Sequence, residues 1–369
     1  MMGWTAPNGI AAKIEVAIIQ SKEPSVEEIS RIFVDTSKQV FQLHGVDVSE
    51  QVVVRRKLRR AQFLAFFAGL RPTVVGLEAC AASHHWAREL MALGHEVRLI
   101  APQHIKPYVK RNKNDARDAE AGCEAMSRPT MGFVPAKTVE QQGGLMLLKH
   151  RERLVAERTR LSNAIRGHAA EFGWVAAAGL DKIPALVTQA LEAAQAPAAV
   201  QGIFRRLGAR FAELQGEIAE LDREIRAWRK RSAISLRLAE LPGVGELGSM
   251  MLPLKTPDPC GFKSGRDFAA WIGLTARDHS TAGKLRLGVI TKAGDEALRA
   301  VLVAGAMSVI RQVLLGRGPQ WPWLAELLQR KPRKLAAVAL ANKLARIAWK
   351  MMVSGEAFDP ARLSPAAAA

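Results

Sequence analysis

The sequence predicts an α/β domain followed by mostly helical domains, and two features of the chain carry this prediction. Its first third alternates short apolar strands with amphipathic helices, in the order three strands, helix, strand, helix, strand, helix, which suits a mixed sheet. Further on, apolar residues recur at alternating spacings of three and four over one long stretch, the pattern of a coiled coil. A length of 369 residues allows two or three domains.

The predicted sheet begins with three strands. RIFVDTSKQVFQLHGV, which starts at Arg31, predicts a strand, a turn and an alternating strand, and QVVVRR predicts a third strand soon after it. Apolar residues at helical spacing follow over 56–70. A buried strand then ends at Glu78, WARELMALG predicts a helix closed by its last glycine, and HEVRLIAP predicts the strand that precedes a helix starting near Asp115.

Two long helices are expected next, one over 138–172 and one that follows a break at 173–199. The second helix carries a heptad seam, formed by Phe204, Leu207, Phe211, Leu214, Ile218, Leu221, Ile225 and Trp228. A seam of this regularity needs a partner helix to cover it in water. The spacing leaves open whether the partner is the first long helix or another subunit. We expect another subunit, so that the coiled coil joins a homo-oligomer, a dimer or a tetramer.

The charge of the chain favours an anionic partner. Lys and Arg outnumber Asp and Glu by 53 to 35, a net charge of +18 that is spread along the sequence. Such a field favours nucleic acid, although a basic soluble protein without that partner would also show it. Three distant cysteines form no CxxC pair, so neither a disulfide framework nor a zinc site is indicated. The N-terminus has no signal-length apolar core, and the apolar run at 300–310 is too short to span a bilayer, so we expect a cytoplasmic protein.

Four carboxylates stand where ligands of an open α/β sheet are expected. Asp35 ends the first predicted strand, Glu78 ends a later one, and Asp115 and Asp118 lie three apart at a helix start. Strand ends of such sheets line ligand crevices, and helical positions i and i+3 share a face. One interpretation of the aspartate pair is acidic capping in the first helical turn. The other is a Mg²⁺ site for all four, because this ion prefers oxygen ligands and converging carboxylates repel without a cation.

Two glycine-containing turns are candidate contacts to phosphate. In PGVG, Gly243 and Gly245 would let backbone N–H groups approach a phosphate, or would simply turn the chain between two helices. In ARDHSTAGKLRLG, Ser280 is either a nucleophile on phosphorus or a serine of a DNA-contacting loop. The basic side chains around this serine are those of Arg277, His279, Lys284 and Arg286.

Together these motifs resemble those of the DEDD-type insertion-sequence transposases, the group that includes the Piv-like DNA invertases and the RNA-guided bridge recombinases. The resemblance is carried by FVDTSKQVFQLHG, VGLEACAASHHWARELMALGHEVRLIAPQHIKPYVKRNKNDARDAEA, RPTMGFVPAKTVEQQ, LPGVG, FKSGRDFAAWIGLTARDHSTAGKLRLGVITKAGDEALR and VALANKLARIAWK. It implies a RuvC-like domain of ribonuclease-H fold and a mostly helical C-terminal part. The implied divisions are a lead-in at 1–27, the RuvC-like domain at 28–135, a coiled-coil arm at 136–236, a transposase domain with a helix-hairpin-helix at 237–352 and a tail at 353–369.

The resemblance also implies the site and the reaction. The metal-binding and catalytic tetrad falls on Asp35, Glu78, Asp115 and Asp118. The nucleophile falls on Ser280, or on Thr281, because Thr-Ala follows the serine where many relatives have Ser-Gly. The implied enzyme is a Mg²⁺-dependent recombinase that forms a serine–DNA link, acts on donor and target DNA, and is guided by a structured RNA from its own element. The alternatives are a RuvC-like junction-resolving nuclease that uses metal-activated water, and a nucleic-acid-binding protein without catalysis.

Overall fold

The computed structural model describes residues 29–109, 115–281, 283–284, 286–319 and 321–360, with only the backbone described at Asp115 and Ala116. Contacts divide the chain into two units, one up to Ala136 and one from Lys137 on, and each is described by itself. The predicted lead-in at 1–27 lies outside the described residues, as does the tail from 361 on. The finer domain boundaries remain predictions.

A mixed six-stranded sheet forms the centre of the first unit, which confirms the predicted α/β class. Its strands are β1 (Arg31–Thr36), β2 (Val40–Val46), β3 (Val52–Arg59), β4 (Val74–Glu78), β5 (Glu96–Ile100) and β6 (Phe133–Val134). In space they follow the order β3-β2-β1-β4-β5-β6, with β1, β4 and β5 parallel and the other pairs antiparallel. The helices of this unit are α1 (Phe63–Ala68), α2 (Ser83–Ala92), α3 (Pro102–Ile105) and α4 (Asp115–Ala125).

Helices cover both faces of this sheet. On one face, α1 and α2 bury an aromatic cluster in which the rings of Phe41 and Phe63 meet edge to face at 4.7 Å and Trp86 packs on both. On the other face, α4 packs over β1 and β2 and buries Phe33. Strand β1 is therefore buried on both sides through Val34, and the polar residues that follow it mark the edge of the packed core.

The helix predicted over 56–70 is wrong at its beginning. Strand β3 continues to Arg59, where it pairs with Val40, and α1 begins only at Phe63. Along β3 the buried residues Val54 and Leu58 lie on the α1 side of the sheet, with Arg56 between them. Pairing with β2 and burial of this face override the helix propensity of the Lys-, Leu- and Arg-rich segment.

Two long helices, α5 (Val139–Ala170) and α7 (Ala198–Arg231), pack against each other in the second unit. Six residues of the predicted seam are buried, namely Phe204, Phe211, Leu214, Ile218, Leu221 and Ile225. Leu154 of α5 packs in one cluster with Leu214, Ile218 and Leu221. The prediction that this seam joins subunits is therefore wrong, because a helix of the same chain already covers it.

Side chains at the rims of the α5–α7 pair fix how the two helices align. Arg151 Nε lies 2.5 Å from Asp222 Oδ1, and Arg210 reaches Glu157 across the pair at 2.8 Å. The segment predicted as a break is not irregular throughout, because it contains helix α6 (Ile183–Glu192). Its apolar face packs on the α5–α7 pair beside Phe204.

The rest of the second unit is largely helical, as predicted. Its helices are α8 (Ala233–Leu238), α9 (Glu246–Lys255), α10 (Gly265–Ile272), α11 (Glu296–Leu314), α12 (Pro322–Arg330) and α13 (Arg333–Ser354), and a hairpin of β7 (Ala276–Asp278) and β8 (Leu287–Ile290) stands between α10 and α11. Helix α13 packs on α10 and α11 through small side chains such as Ala337, Ala341 and Ala345, which are fully buried. Small residues at these positions let the helices approach closely.

Helix α11 is long and apolar enough, by length and composition, to cross a membrane, although the run at 300–310 was expected to be too short. Its side chains Leu298, Leu302 and Ala306 are fully buried in the core of the second unit. From the same helix, Arg299 donates to the carbonyl oxygens of Ile272 and Ala293, each at 2.9 Å. We therefore interpret α11 as a core helix.

Candidate active site

Asp35 and Glu78 lie side by side at the carboxyl ends of neighbouring parallel strands. The last paired residues of β1 and β4 are Val34 and Leu77, and the two carboxylates follow them directly. Just beyond, Thr36 Oγ1 lies 3.5 Å from Cys80 Sγ, which ties the two strand ends together. Both carboxylates are half-buried at the edge of the core. The sheet thus places them where open α/β sheets bind ligands.

Helix α4 crosses this face of the sheet in the direction opposite to β1. Near its C-terminal end, the carbonyl oxygen of Cys123 accepts a hydrogen bond from Arg31 Nε at 3.3 Å, and Gly122 packs on Phe33. Arg31, Phe33 and Asp35 are alternate residues on one face of β1. Asp118, one helical turn before Gly122, therefore lies toward the strand end that carries Asp35.

The close approach of α4 to the sheet depends on two glycines. A Cβ at Gly122 would lie 2.2 Å from the ring of Phe33, and a Cβ at Gly76 would lie 2.6 Å from the same ring. Gly76 is also the residue of β4 that pairs with Phe33. Side chains do not tolerate such distances, so α4 can lie this close to the sheet only because both positions are glycine. The close approach in turn sets the distance of Asp118 from the strand ends.

The metal set remains a prediction. Asp115 begins α4, as expected of the helix-borne pair, but its side chain lies outside the described residues. Among the side chains that the structure does describe, no three His, Cys, Asp or Glu residues are grouped as metal ligands. Asp35 and Glu78 share the carboxyl edge of the sheet, Asp118 belongs to the part of α4 that lies toward that edge, and carboxylate oxygens are the donors that Mg²⁺ prefers.

Ser280 lies in the exposed turn of the β7–β8 hairpin, in the second unit. Its backbone N–H donates to Asp278 Oδ1 at 2.8 Å, and its Oγ accepts from the backbone N–H of Arg286 at 3.0 Å. Hydrogen bonds from Ser280, first of all from its side chain, hold the pKa of Asp278 below its ordinary value. Asp278 was not among the residues predicted from the sequence. The available signal was an aspartate two residues before the serine, which is the spacing of an Asx turn.

The four predicted basic neighbours of Ser280 are all exposed on this hairpin. The backbone N–H of His279 donates to Arg286 O at 2.8 Å, that of Lys284 donates to Thr281 O at 3.0 Å, and Arg277 reaches the carbonyl oxygen of Thr291 at 3.4 Å. The ladder bonds hold the turn in shape, and the basic side chains remain exposed. Thr281, the alternative nucleophile, is exposed next to Ser280.

The two glycines of PGVG have different surroundings. Gly243 has a φ of 87°, and a Cβ there would lie 3.0 Å from the backbone of Gly305 in α11. Packing against α11 therefore explains this glycine without a phosphate. Gly245 precedes α9 and is exposed, with open space where a Cβ would stand, so phosphate binding there stays a prediction.

A mixed sheet with acidic residues at adjacent parallel strand ends, faced by a helix that bears a third, agrees with the arrangement expected of a DEDD-type domain of DNA-processing enzymes. A transposase model, DEDD_Tnp_IS110, matches residues 33–172, and the model of the Transposase IS116/IS110/IS902 family matches 235–320. A Sinorhizobium fredii protein named as a transposase, y4pF/y4sB, is 58% identical over 94% of this chain and 90% of its own length. The transposase for insertion sequence element IS1111A of Coxiella burnetii is 38% identical over 93% and 95%.

The chain therefore belongs to the IS116/IS110/IS902 family of insertion-sequence transposases, enzymes that act on DNA. This confirms the resemblance inferred from the motifs. It also agrees with a third relative, a Pseudomonas aeruginosa protein named as a family 20 transposase, which is 46% identical over 90% of this chain and 99% of its own length.

Proposed function

We propose that the protein moves its insertion sequence by Mg²⁺-dependent cleavage and exchange of DNA strands, with Ser280 as the nucleophile. The observation that carries the proposal is the in-register placement of Asp35 and Glu78 at the ends of β1 and β4, with Asp118 directed to the same edge. Asp115 would complete the set that holds the ion. When bound, Mg²⁺ would neutralise and orient the phosphate that reacts.

The hairpin supplies the groups for a serine attack. Ser280 Oγ would form the new bond to phosphorus as one strand end leaves, so that the phosphodiester energy is kept in a serine–DNA link and strand exchange needs no ATP. Asp278, whose Oδ1 accepts a hydrogen bond from the backbone N–H of Ser280, would receive the hydroxyl proton. Arg277, Lys284 and Arg286 would offset the charge of the phosphate.

The partners that we propose are donor DNA, target DNA and a structured guide RNA from the element. The net charge of +18 supports binding of both kinds of nucleic acid. Holding two duplexes calls for more than one subunit, and these would meet through surfaces other than the buried seam. We place the protein with the nucleoid in the bacterial cytoplasm. Deleting the non-coding end of the element should stop transposition, and supplying its transcript separately should restore it; transposition without that transcript would exclude the guide.

Isosteric variants of the strand-end carboxylates test the site. Asp35→Asn and Glu78→Gln should each lower the transposition frequency by about 10²-fold or more, because the charge that holds and orients the reacting group is lost. Glu89→Gln, on the exposed part of α2, is the matched control and should transpose normally. Mg²⁺ should raise the melting temperature of the wild type more than that of either variant. Normal transposition by Asp35→Asn or Glu78→Gln would refute the assignment of this site.

A further inference from the structure

The edge strand β3 and the residue after it carry an unusual density of exposed cations. These are Arg55, Arg56, Lys57, Arg59 and Arg60. Strand alternation sorts them onto two faces. Arg56 and Arg60 lie on the α1–α2 side, where their guanidinium groups stack at 5.6 Å over Phe66 and 4.7 Å over Trp86. The other three point to the α4 side, which is the face of the candidate active site.

The register of the sheet places one of these cations in the same row as the carboxylates. Lys57 pairs with Gln42 of β2, and Gln42 pairs with Asp35 of β1. With strands about 4.8 Å apart, the backbone of Lys57 lies about 10 Å from that of Asp35 on the same face. Arg59, which pairs with Val40, lies one row further out in the direction in which β1 ends.

Among the side chains of α4 that the structure describes, the acidic group next to one of these three cations belongs to Glu120. Glu120 on α4 lies 3.9 Å from Arg55. Lys57 and Arg59 lie further along β3 than Arg55. They form no ion pair with any side chain that the structure describes. Charged residues on an edge strand protect it from pairing with another sheet, but charges on either face of the strand give this protection. It does not account for two cations, one in the row of Asp35 and one in the next row, that lack an ion pair among the described side chains.

We infer that Lys57 and Arg59 bind backbone phosphates of the DNA strand that enters the Asp35–Glu78 site. This inference rests on the proposed function of those carboxylates. The two cations would hold phosphates next to the reacting phosphate. The DNA strand would then cross β2 over Gln42 and reach Asp35 and Glu78. Such contacts are independent of base sequence, since they address only the phosphate.

Two double variants with the same charge change make the test. Lys57→Gln/Arg59→Gln removes the cations of the active-site face, and Arg56→Gln/Arg60→Gln removes those of the opposite face. Both are made in the Asp35→Asn chain, so that DNA stays intact while binding to a short fluorescein-labelled duplex is measured by anisotropy at several salt concentrations. Losing two phosphate contacts should reduce the slope of log K against log salt by about 1.8. The control variant should keep the slope of its parent.

The same two double variants, made with Asp35 present, give a second measurement. Lys57→Gln/Arg59→Gln should transpose less than Arg56→Gln/Arg60→Gln, with both melting temperatures recorded to exclude unfolding. An unchanged salt slope, or an equal loss of slope in both pairs, would overturn the inference, because the cations would then act as edge protection or as general charge. Full transposition by Asp35→Asn would instead refute the proposed active site, whatever the slopes show.

Discussion

Replacing Gly122 with alanine should move α4 away from the sheet beneath it. The added Cβ would lie 2.2 Å from the ring of Phe33, whereas carbon atoms in contact lie about 3.5–4.0 Å apart. The helix would have to rise by about 1.3–1.8 Å to restore that contact. The alternative is a new rotamer for Phe33, which is only 1% exposed and has little room to turn.

The cost to activity should exceed the cost to stability. Overpacking of this kind destabilises by about 1–3 kcal/mol, and alanine returns about 1 kcal/mol through its higher helix propensity. The net loss should therefore lower the melting temperature by only a few degrees. The same displacement moves Asp118, one turn away on the same face of α4, and a misplacement of about 1 Å in a catalytic group can cost about 10²-fold in rate.

Transposition frequency and melting temperature, measured on three variants, check this reasoning. Gly143→Ala is the control, since this exposed helical glycine has open space around it and should be neutral or slightly stabilised. Adding Phe33→Leu to Gly122→Ala removes part of the clashing ring and should restore some of the lost activity. If Gly122→Ala alone transposes and melts like the wild type, α4 is not seated on Phe33 and the position derived for Asp118 is wrong.

Three further predictions concern the hairpin, the arm and the thiols. Ser280→Ala should still bind DNA but lose the protease-sensitive covalent band on a denaturing gel. A band that disappears only in Thr281→Ala would move the nucleophile one residue on, and cutting without any band would favour the junction nuclease. Leu214→Asp should destabilise by about 3 kcal/mol or more, because it puts a charge in a fully buried site, yet light scattering should show an unchanged mass; a lower mass would restore the seam to a subunit contact. Iodoacetamide at pH 8 should label exposed Cys260 and spare Cys123, since burial raises the pKa of the Cys123 thiol to about 11; equal labelling by peptide mass spectrometry would contradict that burial.

The strand ends of the first unit were predictable from the sequence because their signals are local. Asp35 and Glu78 each follow a short apolar run, and in a parallel sheet such ends meet at one edge. The extent of β3 was not predictable in this way. Its last residues have strong helix propensity, and only pairing with β2 decides that Lys57 belongs to a strand and shares a row with Asp35.

The α5–α7 pair and the β7–β8 hairpin depend on contacts that the periodicity of the sequence does not predict. The heptad spacing over 204–228 requires a partner helix, but whether α5 or a second chain supplies it depends on the loop geometry and on α6. At the hairpin, Ser280 stood out through its basic neighbours. The contact between Asp278 and Ser280 follows from the conformation of the turn, and no repeat or charge pattern predicts that conformation.

Because α5 pairs with α7 of the same chain, the length of this helix pair is set by one chain alone. Its helices have 32 and 34 residues, and at about 1.5 Å per residue each spans about 50 Å. Removing seven facing residues from both helices would shorten the arm by about 10 Å and leave every remaining seam residue covered. Removing one residue from a single helix would instead turn the seam beyond it by about 100° and expose it. The length of the α5–α7 pair can therefore change in whole heptads, without any matching change in a second subunit.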